Sequence, residues 1–241
     1  MSEPAEPIKP PAGDVARLRD AASVVVLRDV GARPRVLMGQ RGARAAFMPS
    51  KFVFPGGAVD AADAQVPLAR PLEEPHAARL AEHGDVPGGV TSLVAAGIRE
   101  LWEEAGLVLG VPGDWPEPPP PGWEGFAATG HRPSAEGLRF VFRAITPPGR
   151  PRRFDARFLL VDAERLAGDP DDFSAAEDEL GALQWAPLDE VRRLDLPFIT
   201  ELVLAEVAAI ARGEPQEAVP FFRNDDEASL FLQLHGRPQD R

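Results

Sequence analysis

The stretch Arg99-Glu100-Leu101-Trp102-Glu103-Glu104-Ala105-Gly106-Leu107 constrains this chain more than any other. Val94, Ile98, Leu101 and Ala105 recur at three- and four-residue spacing, which predicts one buried stripe of a helix. Thr91 is the expected N-cap and Gly106 the expected stop. At 3.6 residues per turn, Glu100, Glu103 and Glu104 fall on one face. Glu100 and Glu104 are like charges at i, i+4, and Glu103 and Glu104 lie in the last turn, where the helix dipole disfavours anions. A hard cation held among them reverses the sign of each term, and Mg²⁺ is typically held by a few carboxylates together with substrate phosphates. Three glutamates alone are more often a solvated acidic face. The whole string, with an arginine, a glycine and two aliphatics at set offsets, would arise by chance on the order of one time in a million per position. Arg99, four residues before Glu103, is placed to brace that carboxylate.

Upstream, Lys51 to Phe54 reads as a short strand broken by Pro55-Gly56-Gly57. Two glycines let backbone atoms approach a metal or a phosphate with no Cβ in the way. The rest of the chain alternates strand and helix signals. Ala21 to Leu27 is a buried strand, and Arg35 to Arg41 is its hairpin partner across a turn at Gly31 to Pro34. Leu107 to Val111, Leu138 to Ile145, Arg157 to Val161 and Leu183 to Trp185 read as further strands. A helix is expected over Pro187 to Leu194 and an amphipathic one over Phe198 to Ala211. Residues 111–130 form an extended loop, with prolines at 112, 116 and 118 to 121.

Composition limits the functions such a chain can have. It has 241 residues and no cysteine, so disulfides and thiolate metal sites are excluded. No apolar run approaches membrane-spanning length and no signal segment is recognised, so a cytoplasmic protein without a membrane partner is expected. The net charge of −12 disfavours long nucleic acid as a partner. It does not exclude a small phosphorylated substrate, because a metal cluster and a few arginines neutralise one diphosphate.

The glycines and the acidic helix together resemble the box of the Nudix hydrolase superfamily, G-x5-E-x7-R-E-U-x-E-E-x-G-U with U aliphatic. Gly57 fits the first glycine, Asp63 stands at the first glutamate, and Arg99 to Leu107 fits the remainder. The departure is the spacer, which runs from Ala64 to Ile98. Thr91 to Ile98 is the first half of the catalytic helix, so an insertion lies at about residues 64–89, with a short helix expected over His76 to His83. The insertion, and the strings from Phe52 to Asp60 and from Arg152 to Phe158, resemble a subgroup that includes a peroxisomal coenzyme A diphosphatase of animals. The resemblance implies an α/β Nudix fold, a mixed sheet sandwiched between helices, over residues 20–215. A loose tail would precede it (1–19) and an extension follow it (216–241). The insertion is expected to stand over the substrate as a flap or wall.

The resemblance also implies Mg²⁺ or Mn²⁺, held by Glu100, Glu103, Glu104 and the backbone of Gly57, with Gly56 beside it. The metal lowers the pKa of a bound water and a carboxylate takes the proton. Glu100 and Glu103 are candidates for catalysis, as is Glu179, since several Nudix enzymes use a loop carboxylate in this region. Arg41 and Arg44 are placed to reach a diphosphate. Arg153 and Arg157, on alternating positions of one strand with Asp155, suit a terminal phosphate, and Phe154 an adenine. The expected reaction is hydrolysis of a diphosphate linkage in a small nucleoside diphosphate derivative, with coenzyme A or acyl-coenzyme A foremost. ADP-ribose or a dinucleotide is the alternative substrate, and a non-catalytic ligand-binding or regulatory module the alternative of another class. Many relatives are dimers, so a homodimer is open, though no feature of the sequence identifies its interface.

Overall fold

The run Ala21 to Leu27 is apolar on both sides, and a strand of that kind must be covered on both faces. It forms the middle of β1 (Leu18–Arg28) in the computed structural model, which describes residues 17–84, 86–224 and 229–236. Val24 and Val26 enter one core, while Val25 and Leu27 enter another on the opposite face. The strands that follow are β2 (Arg35–Arg41), β3 (Phe52–Val53), β4 (Gly56–Ala58), β5 (Gly110–Pro112), β6 (His131–Pro133), β7 (Arg139–Ile145), β8 (Arg153–Asp162), β9 (Leu180–Pro187), β10 (Val219–Asn224) and β11 (Ser229–Leu234). The helices are α1 (His76–Ala81), α2 (Gly89–Ala105), α3 (Glu124–Ala128) and α4 (Phe198–Ala211).

The main sheet has the order β11-β10-β7-β8-β1-β2-β3, with β4 pairing β1 and β9 pairing β2. It is mixed: β1 runs parallel to β8 and antiparallel to β2 and β4. Val94, Ile98 and Leu101 of α2 close one core, and Val203, Leu204 and Val207 of α4 close the other. The architecture is the expected α/β/α sandwich. Gly97 lets α2 lie close to the sheet, since a Cβ there would come within 3.2 Å of Val24 Cγ2.

Several local expectations are corrected. The helix begins two residues before Thr91, which is exposed. Its N-cap is Gly88, held at φ +79° by a turn closed by Gly89 N donating to Val86 O. Beyond the helix only Gly110–Pro112 is strand, paired with β6, and Val108 bridges to Ala167. The helix expected over 187–194 is a single 3-10 turn, Val191–Arg193. The strand expected over Arg157 to Val161 begins earlier, at Arg153.

The insertion does not stand free of the domain as a flap would. Val66, Leu72 and Leu80 are buried in the same core as α2, and α1 packs on β7. Those apolar side chains need cover, so the insertion becomes part of the layer over the sheet. The proline-rich loop is likewise anchored, with Trp123 and Phe126 fully buried. The expected extension after 215 supplies β10 and β11, and β10 pairs β7 in parallel. Val219 and Phe221 complete the core on the α2 side, so this segment is integral to the sheet. Of the expected N-terminal tail, residues 1–16 lie outside the described residues, and β1 already begins at Leu18.

Candidate active site

The C-terminal half of α2 runs beneath β4, and the two elements meet through glycine. Gly56 N donates to Glu104 Oε2 at 2.7 Å. A Cβ on Gly57 would overlap the Glu100 carboxylate, and one on Gly56 would overlap Ser23 of β1. The Pro-Gly-Gly break is therefore what brings a backbone edge onto two glutamates. At the helix end, Gly106 takes φ +69°, and a Cβ there would press on Ala176 N at 2.9 Å. That permits loop 168–179 to close on the helix, where Glu177 N donates to Glu103 O at 2.7 Å.

Arg99 organises the other side of the cluster. Its Nη1 donates to Glu100 Oε1 at 2.9 Å and to Glu103 Oε2 at 2.8 Å, while Nε donates to Asp63 Oδ1 at 3.0 Å. Asp63 is fully buried and also accepts from Trp123 Nε1 at 3.1 Å and from Asp60 N at 2.8 Å. Burial alone would pull the Arg99 guanidinium down, but Asp63, Glu100 and Glu103 more than reverse this and hold it charged. The bracing of Glu103 by Arg99 is as expected. Asp63 as the brace of Arg99, and Trp123 as the brace of Asp63, were not visible in the sequence.

The glutamates are held where a negative charge is poorly solvated. Burial raises Glu100 to about 7, with the Arg99 charge opposing and the charges of Glu103 and Glu179 adding to the rise. Burial also raises Glu104 well above the usual carboxylate range, and Glu100 and Glu179 raise it further. Glu103 is raised by burial, opposed by Arg99. Glu104 Oε1 is buried with no hydrogen-bond partner. Among the described residues, no three carboxylate or histidine side chains are already drawn into a metal-binding group. The donor set nonetheless fits a hard divalent cation: it is all oxygen, it repels itself, and it includes one orphaned buried acceptor.

Arg41 ends β2, opposite Leu180 of β9, and its Nη2 donates to Glu179 Oε1 at 2.7 Å. A cavity of about 460 Å³ is lined by residues 41–46, Arg152 and Glu179. Arg41, Arg44 and Glu179 thus meet in one place, and Phe154 lies beside Phe47 with ring centroids 5.4 Å apart. Loop 168–179, which ends at Glu179, closes on the end of α2, so the cavity adjoins the acidic helix.

Arg153 and Arg157 do not join this cavity. Strand alternation sends them, with Asp155, to the face beneath the insertion, and all three are buried. Arg157 is 1% exposed; it donates to Asp20 Oδ1 at 2.5 Å and pairs with Asp155 at 3.2 Å. Burial lowers its pKa, which Asp155 and Asp20 oppose. Arg153 Nε donates to Thr146 O at 3.2 Å. Arg152, one residue away, has the other parity and lines the cavity. The sequence contained that signal, because Arg152 shares its parity with Phe154.

A backbone cradle of glycine against a buried, self-repelling set of carboxylates, beside an arginine-lined cavity, defines a class: hydrolases that act on pyrophosphate bonds. No family model and no curated protein matches the chain. Among solved structures it is similar to a NUDIX hydrolase from Alicyclobacillus acidocaldarius, at 27% identity and a TM-score of 0.60, over 81% of this chain and 93% of that one. A MutT NUDIX hydrolase from Burkholderia pseudomallei is a fainter likeness, at 19% identity and a TM-score of 0.44, over 79% of this chain and 98% of that one. The likeness to the first of these supports the Nudix superfamily and a hydrolase acting on pyrophosphate bonds. Nudix hydrolases in general use divalent metal ions. Among the described residues, no helix is long and apolar enough to cross a membrane.

Proposed function

We propose that this chain hydrolyses the diphosphate linkage of a small nucleoside diphosphate derivative in the cytoplasm, with coenzyme A or acyl-coenzyme A as the first candidate. The observation that carries the reaction is the unpartnered, buried Glu104 Oε1 beside Glu100, next to the cavity of Arg41, Arg44 and Arg152. Glu100, Glu104 and the Gly57 backbone would hold Mg²⁺ or Mn²⁺, and Glu103 is kept in place by Arg99. When bound, such a cation withdraws charge from the phosphates and acidifies a water. The residues do the rest. The arginines orient the diphosphate. Phe154 and Phe47 offer a ring edge and face for a base. Glu179 or Glu100 accepts the proton of the attacking water. The catalytic domain, on this reading, runs from β1 through β11.

The burial of Arg153 and Arg157 favours a second reading, ADP-ribose or a dinucleotide. The sequence offers Arg152, Arg153 and Arg157 for an additional ribose phosphate, and of these three Arg152 lines the cavity, beside Arg44. A Mg²⁺-supplemented hydrolysis screen with products identified by mass decides between them. The first reading predicts phosphopantetheine and adenosine 3′,5′-bisphosphate from coenzyme A, with dephospho-coenzyme A the poorer substrate. Faster turnover of ADP-ribose than of either would move the assignment to the second reading. No hydrolysis of any nucleoside diphosphate compound would overturn the function.

A further inference from the structure

We propose that the Arg41–Glu179 ion pair is a resting contact that the substrate breaks: the diphosphate takes Arg41, and Glu179 is released toward Glu100 and Glu104. The proposal rests on the diphosphatase reading above and adds a specificity device to it.

The two partners are anchored very differently. Arg41 is the last residue of β2 and is paired with Leu180 of β9. Its N–H donates to Lys51 O and its carbonyl accepts from Ser50 N. Its side chain is 16% exposed, whereas that of Glu179, at the end of loop 168–179, is 56% exposed. When the contact opens, Glu179 is the partner free to move. Arg41 also has spare capacity, since its Nε is buried and makes no hydrogen bond.

Charge leads to the same conclusion. The cavity wall carries three guanidiniums, Arg41, Arg44 and Arg152, and one carboxylate, Glu179. Among the described residues, Arg44 and Arg152 have no ion-pair partner. With Glu179 in place these four side chains carry a net charge of +2, and with Glu179 released they carry +3, so the wall holds a diphosphate more strongly once Glu179 leaves. Glu179 is already within electrostatic reach of Glu100 and Glu104, where a cation would welcome another anion. A phosphate oxygen competes well for the guanidinium fork. The fit is therefore selective: an uncharged ligand cannot make the exchange.

The test is a binding double-mutant cycle with imidodiphosphate, a non-hydrolysable diphosphate, measured calorimetrically on the full chain in chelator. Glu179→Gln removes the competitor for Arg41 and should tighten binding. A half-exposed pair of this kind is worth about a two- to fivefold change. Asp178→Asn deletes the same charge one residue away without freeing Arg41, and it should give a smaller gain. In an Arg41→Gln background the excess gain of Glu179→Gln over Asp178→Asn should vanish. Equal gains from the two substitutions, an excess that persists without Arg41, or no binding by any variant would each overturn the exchange. Equal gains would leave the hydrolysis reading intact, whereas an inactive protein that still shows the cycle would retain the anion exchange and lose the function.

Discussion

Two arginine clusters, which meet in sequence only at the neighbours Arg152 and Arg153, do opposite work. Arg143, Arg153 and Arg157 lie buried on the sheet face under the insertion. Arg143 there forks onto Asp155 at 2.7 and 2.9 Å and donates to the carbonyls of Glu82 and His83. Arg41, Arg44 and Arg152 line an open cavity with one movable carboxylate between them. The first cluster is matched by Asp20 and Asp155 and ties the insertion to the sheet. The second has more positive charge than its wall can neutralise. What separates them is strand parity and the supply of carboxylates: an arginine becomes a ligand site only where its own fold leaves it short of anions.

The comparison can be broken most severely at Asp155. Asp155→Ala would strand Arg143 as a buried charge and leave Arg157 with Asp20 alone, and removing one partner of a buried pair costs about 3–5 kcal/mol. Urea unfolding should register that loss, with the insertion the first region to exchange its amide hydrogens. A change within about 0.5 kcal/mol would mean the buried cluster is not what holds the insertion.

The open cluster should answer in the reverse way. Arg44→Ala and Arg152→Ala should leave stability within about 0.5 kcal/mol of the parent. Each should lower kcat/KM for a diphosphate substrate by about ten- to a hundredfold, as loss of a charged hydrogen bond does. Unchanged kinetics in both variants would remove the cavity from the substrate path.

Protonation sharpens the contrast further, because burial pushes the acids of the helix cluster upward. Glu100 ionises near 4.5 in the unfolded chain and at about 7 in the folded one. Its favourable contribution is thus complete below pH 4.5 and is lost as pH rises through about 7, where the native state must release a proton from a buried site. Metal-free protein should lose on the order of 1–3 kcal/mol of stability over that interval, and Mg²⁺ should abolish the slope. A metal-free protein that gains stability over the same interval would contradict the burial of these carboxylates. The smallest effect is expected at Trp123→Phe, which takes one hydrogen bond from Asp63 and should cost about 1 kcal/mol in thermal or urea unfolding. No change there would mean that Arg99 and Asp60 alone satisfy Asp63.

Much of this arrangement was legible in the sequence, for physical reasons that particular residues show. The hairpin strand Arg35–Arg41 and the helix Phe198–Ala211 were read to the residue, because periodicity and turn residues mark them locally. The Glu100–Glu103–Glu104 face and its brace from Arg99 followed from helical spacing alone. Thr91 misled because capping propensity is a local signal, while the turn at Gly88 is set by Ala64, against which a Cβ would clash. Arg157 misled because its fate depends on Asp20, far away in the chain, and Arg153 because it turns onto Thr146 O, neither of which a strand pattern announces. The last two strands carry no local turn-and-alternation signal strong enough to place them, since Pro220 interrupts the pattern and β7, which β10 joins, is remote.

The central claim is that Glu104 is an anion kept for a cation and not for the fold. Glu104→Gln, compared with the parent with and without Mg²⁺, tests it in one experiment that reads both diphosphate hydrolysis and thermal unfolding. The account predicts that the variant loses most hydrolysis and the Mg²⁺-dependent rise in Tm, while in chelator its Tm is equal to or above that of the parent. Full hydrolysis by the variant, or a large fall of its Tm in chelator, would contradict the account.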